Sequence, residues 1–188
     1  MTRAPAGMTL MEVLIGLVLG LGALAALTAL VSGSLAARAR AGAGAEALAA
    51  MAGAIDQIVR DVRLAGYDPR ERGLAGVVAA APASLVLQAD LDGDGAIDSS
   101  SEERVTYRPS AATASLLRIV GTQTMPLLSD LAPGGFRLRY FDASGSELDP
   151  TTPAMADAIR AVTVDLQTRP SGTIPGIRMG GGARLLNR

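Results

Sequence analysis

The chain contains no cysteine, histidine, tryptophan or lysine. Without cysteine no disulfide reports on the compartment, so a position outside the cytoplasm is neither required nor excluded. Without histidine or cysteine the usual zinc and copper ligand sets are missing, and so are thiol nucleophiles. Only two Phe and three Tyr are present, too few aromatics to suggest a sugar-binding cleft between paired carboxylates. All seventeen basic residues are arginine and the net charge is −1, which gives no sign of nucleic-acid binding. The arginine-only, alanine-rich composition reads as a bias of the source genome more than as a binding surface. No nucleophile has a plausible base, and Gly180-Gly181-Gly182 lacks the Lys-Ser/Thr and the strand-to-helix setting of a phosphate loop. An enzyme is not expected.

What the sequence does have is an uncharged apolar run, Val13 to Val31, whose nineteen residues at about 1.5 Å each approach the roughly 30 Å hydrocarbon core of a bilayer. Directly ahead of it stands Gly7-Met8-Thr9-Leu10-Met11-Glu12. A carboxylate at the centre of a membrane helix costs on the order of 2.5–3.5 kcal/mol, and less near an end, so Glu12 calls for a partner. A secretory signal peptide has a basic n-region and an apolar core of about 7–15 residues. Here Arg3 is the only charge ahead of Glu12 and the run is longer, although Ser32-Gly33-Ser34 resembles a cleavage site. A plain single-pass anchor, with Glu12 snorkelling to the interface, is a second reading. The rest of the 188 residues suffices for one domain with one core.

Beyond the span, Leu48, Met51, Ile55, Ile58, Val59 and Val62 follow helical spacing, with Asp56 and Arg60 four apart on another face. Gly66 is a natural left-handed cap, with Pro69 beyond it. The spacing predicts one helix from about Met8 to Ala65, roughly 87 Å long, apolar all round in its first half and amphipathic in its second. Gly42 and Gly44 each cost about 1 kcal/mol in a helix and mark a possible bend. Period-two patterning then predicts strands at 84–88, 104–108, 115–120, 135–142 and 158–167. Ala143-Ser144-Gly145-Ser146 reads as a turn, and 170–175 and 179–182 as loops. A long helix followed by an antiparallel sheet is an α+β layering, with the helix covering one sheet face.

The N-terminal hexapeptide resembles the class III signal of the type IV prepilin-like family. The resemblance implies that Gly7 is the last leader residue, that Met8 becomes a methylated N-terminus after cleavage by prepilin peptidase, and that Glu12 is the fifth mature residue. Met8 departs from the commoner Phe. The apolar helix also lacks the proline of many major pilins, leaving Gly16, Gly20 and Gly22 to loosen it, and there is no cysteine pair to close a C-terminal loop. Arg60-Asp61-Val62-Arg63-Leu64-Ala65-Gly66-Tyr67, Phe136-Arg137-Leu138-Arg139-Tyr140-Phe141-Asp142 with Gly145, and Ile159-Arg160-Ala161-Val162 resemble stretches of PilW-type minor pilins and of the related J-type pseudopilins of type II secretion. The resemblance implies a type IV pilin-like fold and a low-abundance subunit of a priming or tip complex. Its partners would be other minor pilins or pseudopilins and the major pilin, not nucleic acid. On this reading residues 1–7 are a cleaved leader, 8–37 a transmembrane and assembly helix, 38–66 its amphipathic half, and 67–188 a periplasmic β-sheet domain. The protein starts in the inner membrane and passes to a pilus or pseudopilus, and at a tip to the cell surface. Arg38 and Arg40, against Arg3 alone on the other side, oppose the positive-inside count, so the resemblance sets the orientation. In a bundle of such helices Glu12 can pair with another subunit's N-terminal amine, and Gly16-x-x-x-Gly20 allows close approach. A rival from another class is an anchored calcium-dependent binding module that never polymerises.

A second constellation runs Asp90-Leu91-Asp92-Gly93-Asp94-Gly95-Ala96-Ile97-Asp98. Alternating carboxylates and a glycine at the sharp turn suit a hard, oxygen-seeking ion. With Asp90 as position 1, Asp92 and Asp94 fall at 3 and 5, the Ala96 carbonyl at 7 and Asp98 at 9. Ser101 stands at 12, so the bidentate closing glutamate is missing unless Glu102 or Glu103 reaches in from a relaxed loop. The flanks are strand-like, which places a calcium loop within 90–103 at the tip of a β-hairpin, with affinity toward the weak extracellular end, about 10⁻⁴ to 10⁻³ M. The alternative is a solvated acidic turn.

Overall fold

A computed structural model describes residues 7–150, 153–170 and 175–187. The leader expected at 1–7 therefore lies outside the described residues except for Gly7, and so does most of the 170–175 segment.

Helix α1 runs Leu10–Leu64. It starts at Thr9, whose hydroxyl accepts from the Glu12 N–H at 3.3 Å while the Glu12 carboxylate accepts from the Thr9 N–H at 3.1 Å. This reciprocal pair is a capping box, which satisfies two of the donors that every helix start leaves open. The helix stops where Gly66 turns left-handed at φ 79° and donates its N–H to the Gln88 carbonyl at 2.9 Å. α1 is the one described helix long and apolar enough to cross a membrane.

The chain divides into two compact units, Met1–Gly44 and Ala45–Arg188. The division falls at the glycines that weaken helix propensity. In the first unit the large apolar side chains from Met8 to Leu35 are exposed all round, on a helix long and apolar enough to cross a membrane.

In the second unit α1 buries Met51, Ala54, Ile55, Ile58 and Val62 on one stripe. The stripe begins at Met51. Leu48, expected within it, is exposed one turn earlier, and Val59 is half-buried at its flank. Arg60 bonds Gln57, not Asp56, at 2.7 Å.

Two antiparallel sheets complete the α+β layering. The first has the order β1 (Val77–Ala81), β2 (Ser84–Gln88), β3 (Arg104–Ser110), β4 (Ser115–Val120) and β5 (Gln123–Leu128). In the second, β6 (Leu131–Phe141) lies between β7 (Glu147–Leu148) and β8 (Ala161–Thr168), and β9 (Arg178–Arg184) forms the other edge. Leu85, Leu87, Val105, Tyr107 and Leu116 of the first sheet share one core with Phe136, Leu138, Tyr140, Val164 and Leu166 of the second and with the α1 stripe.

Where the alternation was clear, the expected strands stand close to their predicted places. One expected sheet is in fact two, because the chain passes from β5 directly into β6 without pairing them. β1, β5 and β7 carry no period-two signal: β1 is Val-Val-Ala-Ala-Ala, β5 is an exposed edge holding Pro126, and β7 is two residues long. The 179–182 stretch, expected as a loop, lies in β9. Its Gly181 faces the core so closely that a Cβ there would stand 2.4 Å from Ile55 Cγ2. Glycine was read as loop chemistry where the packing requires an absent side chain. Ala158, expected to begin a strand, ends the 3₁₀ turn Pro153–Ala158. The turn at 143–146 is present, organised by Asp142, whose Oδ1 accepts from the N–H groups of Ser144 and Ser146 at 2.8 and 2.9 Å.

Candidate metal centre

β2 and β3 pair antiparallel with Gln88 opposite Arg104, so residues 89–103 close a hairpin. Two backbone bonds seat its base: Ala89 N–H to the Glu103 carbonyl at 3.0 Å, and Asp90 N–H to the Tyr67 carbonyl at 2.8 Å. The second of these ties the loop to the chain leaving α1.

Asp90 and Glu103 are buried polar residues, and each is satisfied by the loop it organises. Asp90 Oδ1 accepts from Gly93 N–H at 2.8 Å and Oδ2 from Gly95 N–H at 2.9 Å. Gly93 and Gly95 adopt φ of 75° and 80°, a conformation costly for other residues. Glu103 Oε1 accepts from Leu91 and Asp92 at 2.9 and 3.3 Å, and Oε2 from Asp98 at 2.8 Å. Oxygens of Asp90, Asp92 and Glu103 all lie within 4.8 Å of one another, and Asp92 is the exposed member. Oxygens about 2.3–2.6 Å from a calcium ion are separated by at most about 5 Å, so this group is of a size to hold a metal ion. A carboxylate oxygen has two lone pairs, so coordination does not require breaking the N–H bonds.

The carboxylates of Asp94, Asp98 and Glu102 are not members of this group. Asp94 is exposed and accepts from Ala96 N–H at 2.7 Å. Asp98 accepts from the Ser100 hydroxyl and N–H at 2.6 and 2.8 Å, and these two bonds hold its carboxyl below the ordinary carboxylate range. Ala96 is exposed. Of the two closing glutamates, Glu103 is the one brought in. Glu102 is 72% exposed in its side chain and lies 3.9 Å from Arg118 Nη1. Arg70 and Arg72 press on the loop at Gly95, where a Cβ would come within 2.7 Å of Arg72 Nε. Positive charge therefore stands beside the acidic turn.

Next to the loop is a polar group whose tertiary pairing was not anticipated. β4 presents Leu116, Arg118 and Val120 on its buried face, so the chain places a guanidinium where an aliphatic residue is expected. Asp61 of α1 answers it: its Oδ2 accepts from Arg118 Nε at 3.0 Å and from the Tyr107 hydroxyl. Burial, and then the Asp61 charge, push the Tyr107 phenol well above its usual range. For Arg118, burial opposes the charge, but the bond and charge of Asp61 outweigh it and raise its affinity for the proton. A cavity of about 50 Å³, lined in part by Asp61, Arg118, Glu102 and Glu103, adjoins both groups. The available signal was an arginine in phase with the apolar positions of a strand.

At the other end of α1, Gly7 and Met8 are exposed ahead of the helix, and Glu12 is engaged with Thr9. The pattern Thr-x-x-Glu before an apolar run is itself a capping-box signature that the charge argument passed over. No protein-family model matches the chain, and no curated protein matches it.

Proposed function

We propose that this protein is a minor pilin, anchored in the inner membrane by the first half of α1 and assembled through that helix into the priming or tip complex of a type IV pilus. The observation that carries the reading is the junction of Gly7, Met8 and Glu12 with a helix that is apolar all round and then continues as the buried stripe of a sheet domain. Cleavage after Gly7 would leave Met8 as the N-terminus, one residue before the capping threonine. The Glu12 carboxylate could then exchange its bond to Thr9 for the N-terminal amine of a neighbouring subunit inside an apolar bundle. Removing one partner of such a buried pair costs about 3–5 kcal/mol, enough to decide docking.

The capping box makes the test sharper than an alanine substitution. Glutamine serves a capping box as glutamate does but carries no charge. If Glu12 acts as a docking charge, Glu12→Gln and Glu12→Ala both fail to enter filaments or tip complexes. If Glu12 only starts the helix, Glu12→Gln assembles like wild type and the docking mechanism is lost. Mass spectrometry of the mature N-terminus tests the class itself: a methylated Met8 supports it, and a start near Ser34 replaces it with a secreted protein. A J-type pseudopilin of a type II secretion system would process in the same way, and neighbouring genes separate the two.

The cluster of Asp90, Asp92 and Glu103 supports a second property, calcium binding, which would stiffen the β2–β3 hairpin at the end of α1. This is also the observation that favours the rival reading of an anchored, non-polymerising, calcium-dependent module.

A further inference from the structure

The outward face of the second sheet carries an unbalanced group of arginines. Pairing puts Arg137 of β6 opposite Asp165 of β8 and Asp165 opposite Gly180 of β9, with Arg139 opposite Thr163 in the adjacent row and Gln167 opposite Arg178. Asp165 stands between Arg139, at 3.9 Å, and Arg178, at 3.8 Å. The two arginine side chains are 53% and 65% exposed, and the Arg139 guanidinium also lies over the Phe141 ring, 5.9 Å from its centroid. Arg137 is exposed and spends one donor on the Gly134 carbonyl at 3.3 Å. Asp165 is the one carboxylate among the described residues lining this face's two hollows, of about 620 and 110 Å³, which share Arg137, Asp165 and Arg178. The larger also has Pro82, Ala83, Phe136 and Leu138 in its lining. Gly180 keeps the floor low, since a Cβ there would come 3.0 Å from Asp165 Oδ1.

We propose that Arg137, Arg139 and Arg178 form a docking site for a carboxylate-rich segment of a partner protein. In the lining of the two hollows three guanidiniums share one carboxylate, Asp165, while Glu147, opposite Phe141 on the same face, lies outside that lining; each guanidinium offers a planar fork that matches a carboxylate. Asp165 sits between two of these guanidiniums at ion-pair distance, 3.9 and 3.8 Å, without forming a hydrogen-bonded fork with either, and the next carboxylate belongs to the occupant. Of the apolar lining, Pro82 and Ala83 are open enough to meet the methylenes of a glutamate side chain, whereas Phe136 and Leu138 are buried in the core. A polyanionic nucleic acid is disfavoured because the net charge is −1 and the 90–103 loop is itself acidic. The site needs neither cleavage at Gly7 nor an intact Glu12, so its failure and that of the assembly reading are separate results.

The test uses the full chain in detergent micelles and a fluorescein-labelled hexaglutamate peptide, followed by anisotropy. The expected result is binding that weakens as salt rises from about 20 to about 200 mM and falls about tenfold in Arg137→Ala/Arg139→Ala/Arg178→Ala. Asp165→Asn, which removes the competing carboxylate, should bind several-fold more tightly, a gain that misfolding cannot produce. Absence of binding overturns the proposal, as does binding indifferent to the triple substitution or not strengthened by Asp165→Asn. Tighter capture of a DNA duplex than of hexaglutamate through the same arginines also overturns it.

Discussion

Replacing Asp61 by alanine removes the acceptor shared by Arg118 Nε, at 3.0 Å, and the Tyr107 hydroxyl. Arg118 is 8% exposed, so its charge is left with little water and with Glu102 at 3.9 Å, a partner mostly in solvent. Breaking a buried pair from one side costs about 3–5 kcal/mol, and an unsatisfied buried hydroxyl costs about 1–3 kcal/mol. Glu102 and the small adjoining cavity relieve part of this, so we expect Asp61→Ala to cost about 3 kcal/mol, a large share of the roughly 5–15 kcal/mol typical of a domain. Removing both charges leaves no orphaned ion, so Asp61→Ala/Arg118→Leu should be no worse than the worse single variant, with a coupling of about 2 kcal/mol or more. The assay is urea unfolding of the full chain in detergent, read by near-ultraviolet circular dichroism of the buried Tyr107 and Tyr140. A cost below about 1 kcal/mol for Asp61→Ala, or additive single effects, would show that this group does not lock α1 to the first sheet.

Three further outcomes are expected. Gly181→Ala should destabilise by about 1–3 kcal/mol through overpacking on Ile55, and Ile55→Ala in the same chain should offset part of that loss; additivity in urea unfolding would refute the contact. In calorimetric titration with calcium, Glu103→Gln should weaken binding by more than tenfold whereas Glu102→Gln should not, and no heat from the wild type at millimolar ion removes the metal reading. The carboxyls of Asp68, Asp98 and Asp142 are held below the ordinary value by the Leu74 N–H, the Ser100 hydroxyl and the Ser144 hydroxyl respectively. Their folded values lie below the unfolded ones, so they stabilise the fold above about pH 4 and that contribution fades as pH falls through the folded values. Asp98→Asn should therefore flatten the fall in the urea midpoint below about pH 4, and an unchanged slope would contradict this.

The local elements were legible where one physical signal dominated. α1 follows from an apolar run, a 3.6-residue stripe and a glycine at its end; β2, β3 and β4 follow from alternation between buried and open faces. The acidic turn and two candidate late glutamates were readable from residue type and spacing, but which glutamate folds back onto the loop was not. Glu102 and Glu103 are adjacent in sequence and point differently because position 103 accepts the N–H groups of Leu91, Asp92 and Asp98 and position 102 meets Arg118. The strands that escaped notice lacked side-chain alternation, and β9 owes its inward glycine to Ile55, more than a hundred residues away in the chain.

By itself the sequence determined the membrane-capable helix, its switch to an amphipathic half, the α+β layering and the acidic hairpin, because each rests on local periodicity or on ligand chemistry within a few residues. Only the tertiary structure decided the split into two sheets, the partnership of Asp61 with Tyr107 and Arg118, the choice of Glu103, and the clustering of Arg137, Arg139 and Arg178 around Asp165. Those depend on strand register and on which faces meet across the core, and no short window of sequence encodes either.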